Sequence, residues 1–120
     1  MQSTTTGKDC MAYQKGDVVL VPFPFADVRT TKARPALVLS DSAYEQSTGN
    51  VILAQITSQA ERFSSDYVVR DWTQAGLYKP SIVRLKLATL AVSLVLHRSG
   101  AVTGKDLAGV NTRLRKVLRL

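Results

Sequence analysis

"TKARPALVLSD", residues 31–41, decides the fold. Ala36-Leu37-Val38-Leu39 is an unbroken apolar run of strand length. A run without alternation reads as a strand buried on both faces. Lys32 and Arg34 stand at its mouth, just ahead of Pro35. Pro35 keeps Arg34 off helical backbone and holds it extended, so the guanidinium leaves from a strand entrance rather than a floppy tip.

Strand signals surround this run. "GDVVLVPFPF", 16–25, opens on a turn-forming Gly-Asp and predicts a strand over Val18 to Val21. Pro22 and Pro24 lack the ladder donor and end it. Ser40 and Asp41 offer caps for a short helix through "SAYEQ", and Gly49-Asn50 marks a turn. "VILAQIT", 51–57, and "DYVV", 66–69, predict two more strands. "DWTQAGL", 71–77, predicts a helical turn stopped by Gly76. In "SIVRLKLATL", 81–90, Ile82, Arg84 and Lys86 share one face, wet and cationic, while Val83, Leu85 and Leu87 share the other. "SLVLHRSGAV", 93–102, reads as a last strand.

The C-terminus predicts a helix from Gly104 to Leu118. Thr103 and Asp106 match the capping-box pattern, and Leu107, Val110, Leu114, Val117 and Leu118 follow at helical spacing. Arg113, Arg115, Lys116 and Arg119 make its other face basic. Many short strands and one terminal helix predict a small, mostly β (α+β), barrel-like domain over residues 15–120. Residues 1–14, Ser/Thr-rich and without apolar periodicity, predict a frayed leader.

Composition narrows the function. Hydrophobic residues make up 45% of the 120 and charged residues 21%, a globular balance. No apolar run reaches the ~18 residues of a membrane span. The single cysteine, Cys10, fits a reducing cytoplasm. Charge is lopsided: residues 1–78 carry seven Lys/Arg against eight Asp/Glu, and 79–120 carry nine against one. A basic end points to a polyanion or an acidic partner. One histidine, His97, rules out paired-imidazole chemistry. No His/Cys/Asp/Glu set has metal-ligand spacing, and no phosphate-binding Gly-rich loop occurs, so neither metal nor cofactor is expected. What remains is Arg, Lys and hydroxyls. That set suits a phosphodiester whose own 2′-hydroxyl attacks, with the protein supplying positive charge to the developing phosphorane.

"KGDVVLVPFPF", then "KARPALVLS", "QITSQ" and "KPSIVRLKLATL" together resemble the MazF/PemK toxins. The resemblance spans residues 15 to 118. It implies an SH3-like or CcdB-like twisted β-barrel with a C-terminal helix, usually a homodimer. It implies a toxin of a toxin–antitoxin pair that cuts single-stranded RNA at short sequences without metal. It also implies that Arg34 and Thr57 are catalytic, forking onto and hydrogen-bonding the same phosphate. Ser58, Lys32 and Arg29, the last two in the polar loop Ala26–Ala33, are the neighbouring RNA contacts, with Arg84 and Lys86 holding phosphates or bases. Phe23, Phe25 and Phe63 are candidate stacking platforms. The acid that some family members carry after the "VR" arginine is missing: Leu85 and Lys86 stand there. Proton transfer falls to Arg34 with Thr57, or to Lys86. A CcdB-like toxin acting on DNA gyrase by protein contact, or a catalytically silent nucleic-acid binder, are the alternatives. The resemblance further implies a small antitoxin. Against Arg84, Lys86, Arg113 and Lys116 its tail is expected to be acidic and to cover Arg34.

Overall fold

The computed structural model describes residues 12–22 and 32–120. Six strands form one antiparallel sheet: β1 (Asp17–Val21), β2 (Arg34–Val38), β3 (Asn50–Thr57), β4 (Tyr67–Val68), β5 (Ile82–Ala91) and β6 (His97–Ala101). Helix α1 (Ser42–Thr48) links β2 to β3, and α2 (Gly104–Leu118) closes the chain. The strand order is β4-β5-β3-β2-β1-β6, so β2 lies inside the sheet between β1 and β3. No helix among the described residues is long and apolar enough to cross a membrane.

The opening stretch is buried on both faces because the sheet carries an apolar cluster on each. Leu37 joins Val18, Ala54, Ile56 and Val83 on one face, covered by Val110 and Leu114 of α2 and by Val69, Ala75 and Leu77. Ala36 and Val38 join Val19, Val21, Val51 and Leu53 on the other. Ala88 and Leu90 extend this face beside their β3 partners Leu53 and Val51, and Tyr13, Val92 and Val95 pack against it. β5 also carries a bulge. Gln55 pairs with Arg84 but Ala54 pairs with Leu87, leaving Leu85 and Lys86 as extra residues in β5. Extra residues bend and twist a strand.

Two local expectations change and one holds. Residues 71–77 make the single helical turn, with Ala75 N donating to Asp71 O at 3.2 Å, and Gly76 stops it at φ 80°, where Leu77 N donates to Trp72 O at 3.1 Å; a Cβ on Gly76 would land on the backbone oxygen of Ser99. The last strand is shorter, because Val92–Leu94 make a 3-10 turn first. The capping box is half made: Asp106 N donates to Thr103 Oγ1 at 3.2 Å, but the Asp106 carboxylate turns away from the helix. It accepts from Tyr67 Oη at 2.6 Å and from the backbone N–H of Arg70 and Asp71. This buried carboxylate ties the segment after β4 to α2.

Arg113 also departs from the expected wet face. Its Nε donates to Asp66 O at 3.0 Å and its guanidinium lies 5.0 Å from the Tyr67 ring centroid. Arg115, Lys116 and Arg119 are exposed.

Candidate active site

Arg34 and Thr57 come together through strand register. Ala36 pairs with Gln55. Arg34 lies two residues before Ala36 and Thr57 two residues after Gln55, so both stand at the end of this ladder and line one cavity. Residues directly opposite one another share a face, as do alternate residues along a strand, so Arg34, Gln55 and Thr57 form one set. Thr57 in turn pairs with Ile82, and Gln55 with Arg84. Arg34 sits at the first residue of β2, next to a proline that fixes the strand's entry, and is exposed. Thr57 closes β3; its Oγ1 accepts from Gln59 N at 3.2 Å, which starts the turn out of the strand.

Arg34, Gln55, Thr57 and Ser58 line a cavity of about 300 Å³. Its apolar lining comes from Leu20, Pro35, Ile56 and Leu77, and its further polar lining from Lys79, Ser81, His97 and Ser99. His97 and Pro35 both pair with Leu20, so β6, β1 and β2 place them in one row across the sheet. Lone occurrence made His97 easy to overlook in the sequence; only the β1–β6 pairing reveals where it lies. Lys79 and Ser81, in the segment between the turns and β5, carried no sequence signal.

Lys32 is exposed, two residues before Arg34. Arg29, Phe23 and Phe25 lie outside the described residues. Arg84 and Lys86 do not line the cavity. They line a neighbouring groove of about 460 Å³ with Gln55, Gln59, Arg62 and Phe63. Gln55 borders both spaces.

Arg84 is not the wet cation its alternation suggested. Its side chain is 11% exposed and pairs with the fully buried Asp66. Nε donates to Asp66 Oδ1 at 3.2 Å and Nη2 to Oδ2 at 3.0 Å, while Nη1 reaches Gln59 Oε1 at 3.1 Å. Burial acts to raise the Asp66 pKa, but the hydrogen bond from Arg84 and those from the backbone N–H of Phe63 and Arg62 outweigh it. The carboxyl is held below its ordinary value. Among the described residues no group of three or more His, Cys, Asp or Glu is placed to hold a metal ion.

A family model described as "PemK-like, MazF-like toxin of type II toxin-antitoxin system" matches residues 14–118. A search of curated proteins returns no match. Among solved structures, MazF (Form-I) from Deinococcus radiodurans superposes with a TM-score of 0.72 at 25% identity, covering 92% of this chain and 99% of its own. The MazE–MazF complex (Form-II) from the same organism gives 0.72 at 23%, covering 90% and 96%. An endoribonuclease in complex with its cognate antitoxin, from a mycobacterial species, gives 0.71 at 20%, covering 91% and 95%.

Proposed function

The chain belongs to the PemK-like, MazF-like toxin family of type II toxin–antitoxin systems, and from that premise we propose that it is a sequence-specific, metal-independent endoribonuclease cutting single-stranded RNA in the cytoplasm. One observation carries the reading: Arg34 and Thr57, distant in sequence, line one cavity. No described residue forms an ion pair with Arg34, which leaves its fork for two phosphate oxygens.

The reaction needs little from the protein beyond placement and charge. The substrate's 2′-oxygen forms the new bond to phosphorus and the bond to the 5′-oxygen breaks. The proton lost by the 2′-hydroxyl is balanced by one the 5′-oxygen takes up. The products are a 2′,3′-cyclic phosphate and a 5′-hydroxyl. Arg34 meets charge that grows on the phosphorane, where fixed donors contribute most, and Thr57 Oγ1 donates to the same group. His97 is the imidazole in the cavity, and imidazoles move protons near neutrality. We assign one of the two transfers to it, ahead of Lys86, which lines the neighbouring groove. Lys32, Ser58 and Arg29 hold the flanking strand; Arg84, tied to Asp66, positions the loop beside it.

The test is incubation with a mapped single-stranded RNA in EDTA, followed by analysis of the product ends. Cleavage to cyclic phosphate, abolished in Arg34→Ala, is expected. Strict magnesium dependence or 5′-phosphate ends would overturn the reading. RNA left whole while DNA gyrase is trapped would favour action by protein contact.

A further inference from the structure

Phe63 is a large aromatic whose backbone the fold ties down and whose ring stays half exposed. Its side is 49% exposed, yet the loop beneath it is tied. Asp66 Oδ2 accepts from Arg62 N at 2.9 Å and from Phe63 N at 3.0 Å, and Arg84 clamps the same carboxylate. Two guanidinium groups flank the ring: Arg84 at 5.3 Å and Arg62 at 5.7 Å from its centroid. Arg84 and Asp66 offset each other, and Arg62 adds a positive charge to the groove. Gln55 joins this groove to the cavity holding Arg34 and Thr57.

A ring beside cations, in a groove that shares Gln55 with the cavity of Arg34 and Thr57, has the parts of a single-strand binding surface: a stacking platform and charge for the backbone. We propose that Phe63 is the stacking platform for a nucleobase flanking the scissile phosphate, with Arg62 and Lys86 beside that nucleotide's backbone. The proposal rests on the endoribonuclease reading and names where its substrate runs. Preorganisation is the physical reason for the Asp66–Arg84 clip: a ring on backbone already tied loses less freedom when a base stacks on it.

The site stands away from the breaking bond, so it stabilises bound substrate and transition state alike. Phe63→Ala should raise KM about 5- to 100-fold with kcat unchanged. Phe63→Trp should restore KM. The direct readout uses a short oligonucleotide spanning the mapped cleavage sequence, made uncleavable by 2′-deoxy sugar at the reacting nucleotide, with 2-aminopurine at one position at a time. Wild type should quench fluorescence at one flanking position; Phe63→Ala should lose that quench, and Phe63→Trp should keep it. Circular dichroism should show both variants folded, since the ring is half-exposed and its backbone bond to Asp66 is untouched.

A wild type that cleaves, with Phe63→Ala matching it in KM and in quench at every position, overturns the subsite alone. A drop in kcat without a change in KM also overturns it. A groove that binds an acidic peptide while RNA kinetics ignore Phe63 overturns it in favour of a protein partner. A wild type that neither cleaves nor binds RNA overturns the nuclease reading and the subsite with it.

Discussion

Arg34, Thr57 and His97 answer different questions, and their substitutions should separate. On the proposed mechanism, Arg34→Ala removes the fork that would meet phosphorane charge. Loss of one such donor costs on the order of 10²–10³ in rate, and a single-turnover assay at saturating RNA should show it in kcat. Arg34→Lys keeps charge but loses the two-pronged geometry, so most of that loss should persist. His97→Gln should lower the rate less; an unchanged rate would take the proton transfer away from it. Arg34 and Thr57 were singled out in the chain because the residues around them, "RPALVLS" and "QITSQ", resemble a family pattern, and the structure sets both on one cavity. His97 was not, because its place depends on β6 pairing with β1, across a sequence separation of 81 at Ser99 and Val18. Arg84 was legible as a cation but not as one already committed: alternation fixes which face a side chain takes, not which carboxylate waits there.

At the scale of elements, two buried carboxylates hold the long segment between β3 and β5. Asp66 clips the loop before β4 to Arg84, and Asp106 ties the residues after β4 to α2. For Asp106, burial acts to raise its pKa, and hydrogen bonds from Tyr67 and from the backbone N–H of Asp71 and Arg70 outweigh it, so the value is lowered. Tyr67, buried and donating to that carboxylate, is pushed up to about 12. Both carboxylates have an ordinary value of 3.8 and a lower one in the fold. Their contribution is therefore fully present above about pH 5 and fades as pH falls below 4 and through the folded values. Urea melts of Asp106→Asn should show lower stability at neutral pH and a flatter acid limb; an acid limb as steep as wild type would deny it this role. Arg84→Met would strand Asp66 without its partner and should cost about 3–5 kcal/mol. Strands were readable here because apolar runs and β-branched residues report burial directly. The helical turn at 71–77 was readable too, from the glycine that stops it; the close approach of Gly76 to the backbone at Ser99 was not, because nothing in the local sequence reports it.

For the whole molecule, assembly and control remain to be measured. Leu94, Leu96, Val117, Leu118 and Leu120 are all exposed in the single chain and are candidates for burial between two copies. A two-fold homodimer follows as the expected state, and a sedimentation mass near 13.1 kDa at micromolar concentration would contradict it. An acidic antitoxin would meet Arg115, Lys116 and Arg119 on the outer face of α2, whereas Arg113 is bound into the fold. Replacing Arg115 and Lys116 with Ala should slow association with the cognate antitoxin at low salt, lose its effect at high salt, and spare RNA cleavage. The lopsided charge was plain in the chain; which of its cations face outward was settled only by packing. The pairing of β6 with β1 also bears on how such a protein is made. Synthesis runs from the N-terminus, so a nascent chain holds Arg34 and Thr57 long before β6 brings His97 and Ser99 to the cavity. A chain ending at Val95 should show no cleavage. A chain stopped before β6 thus carries Arg34 and Thr57 without the strand that completes their cavity.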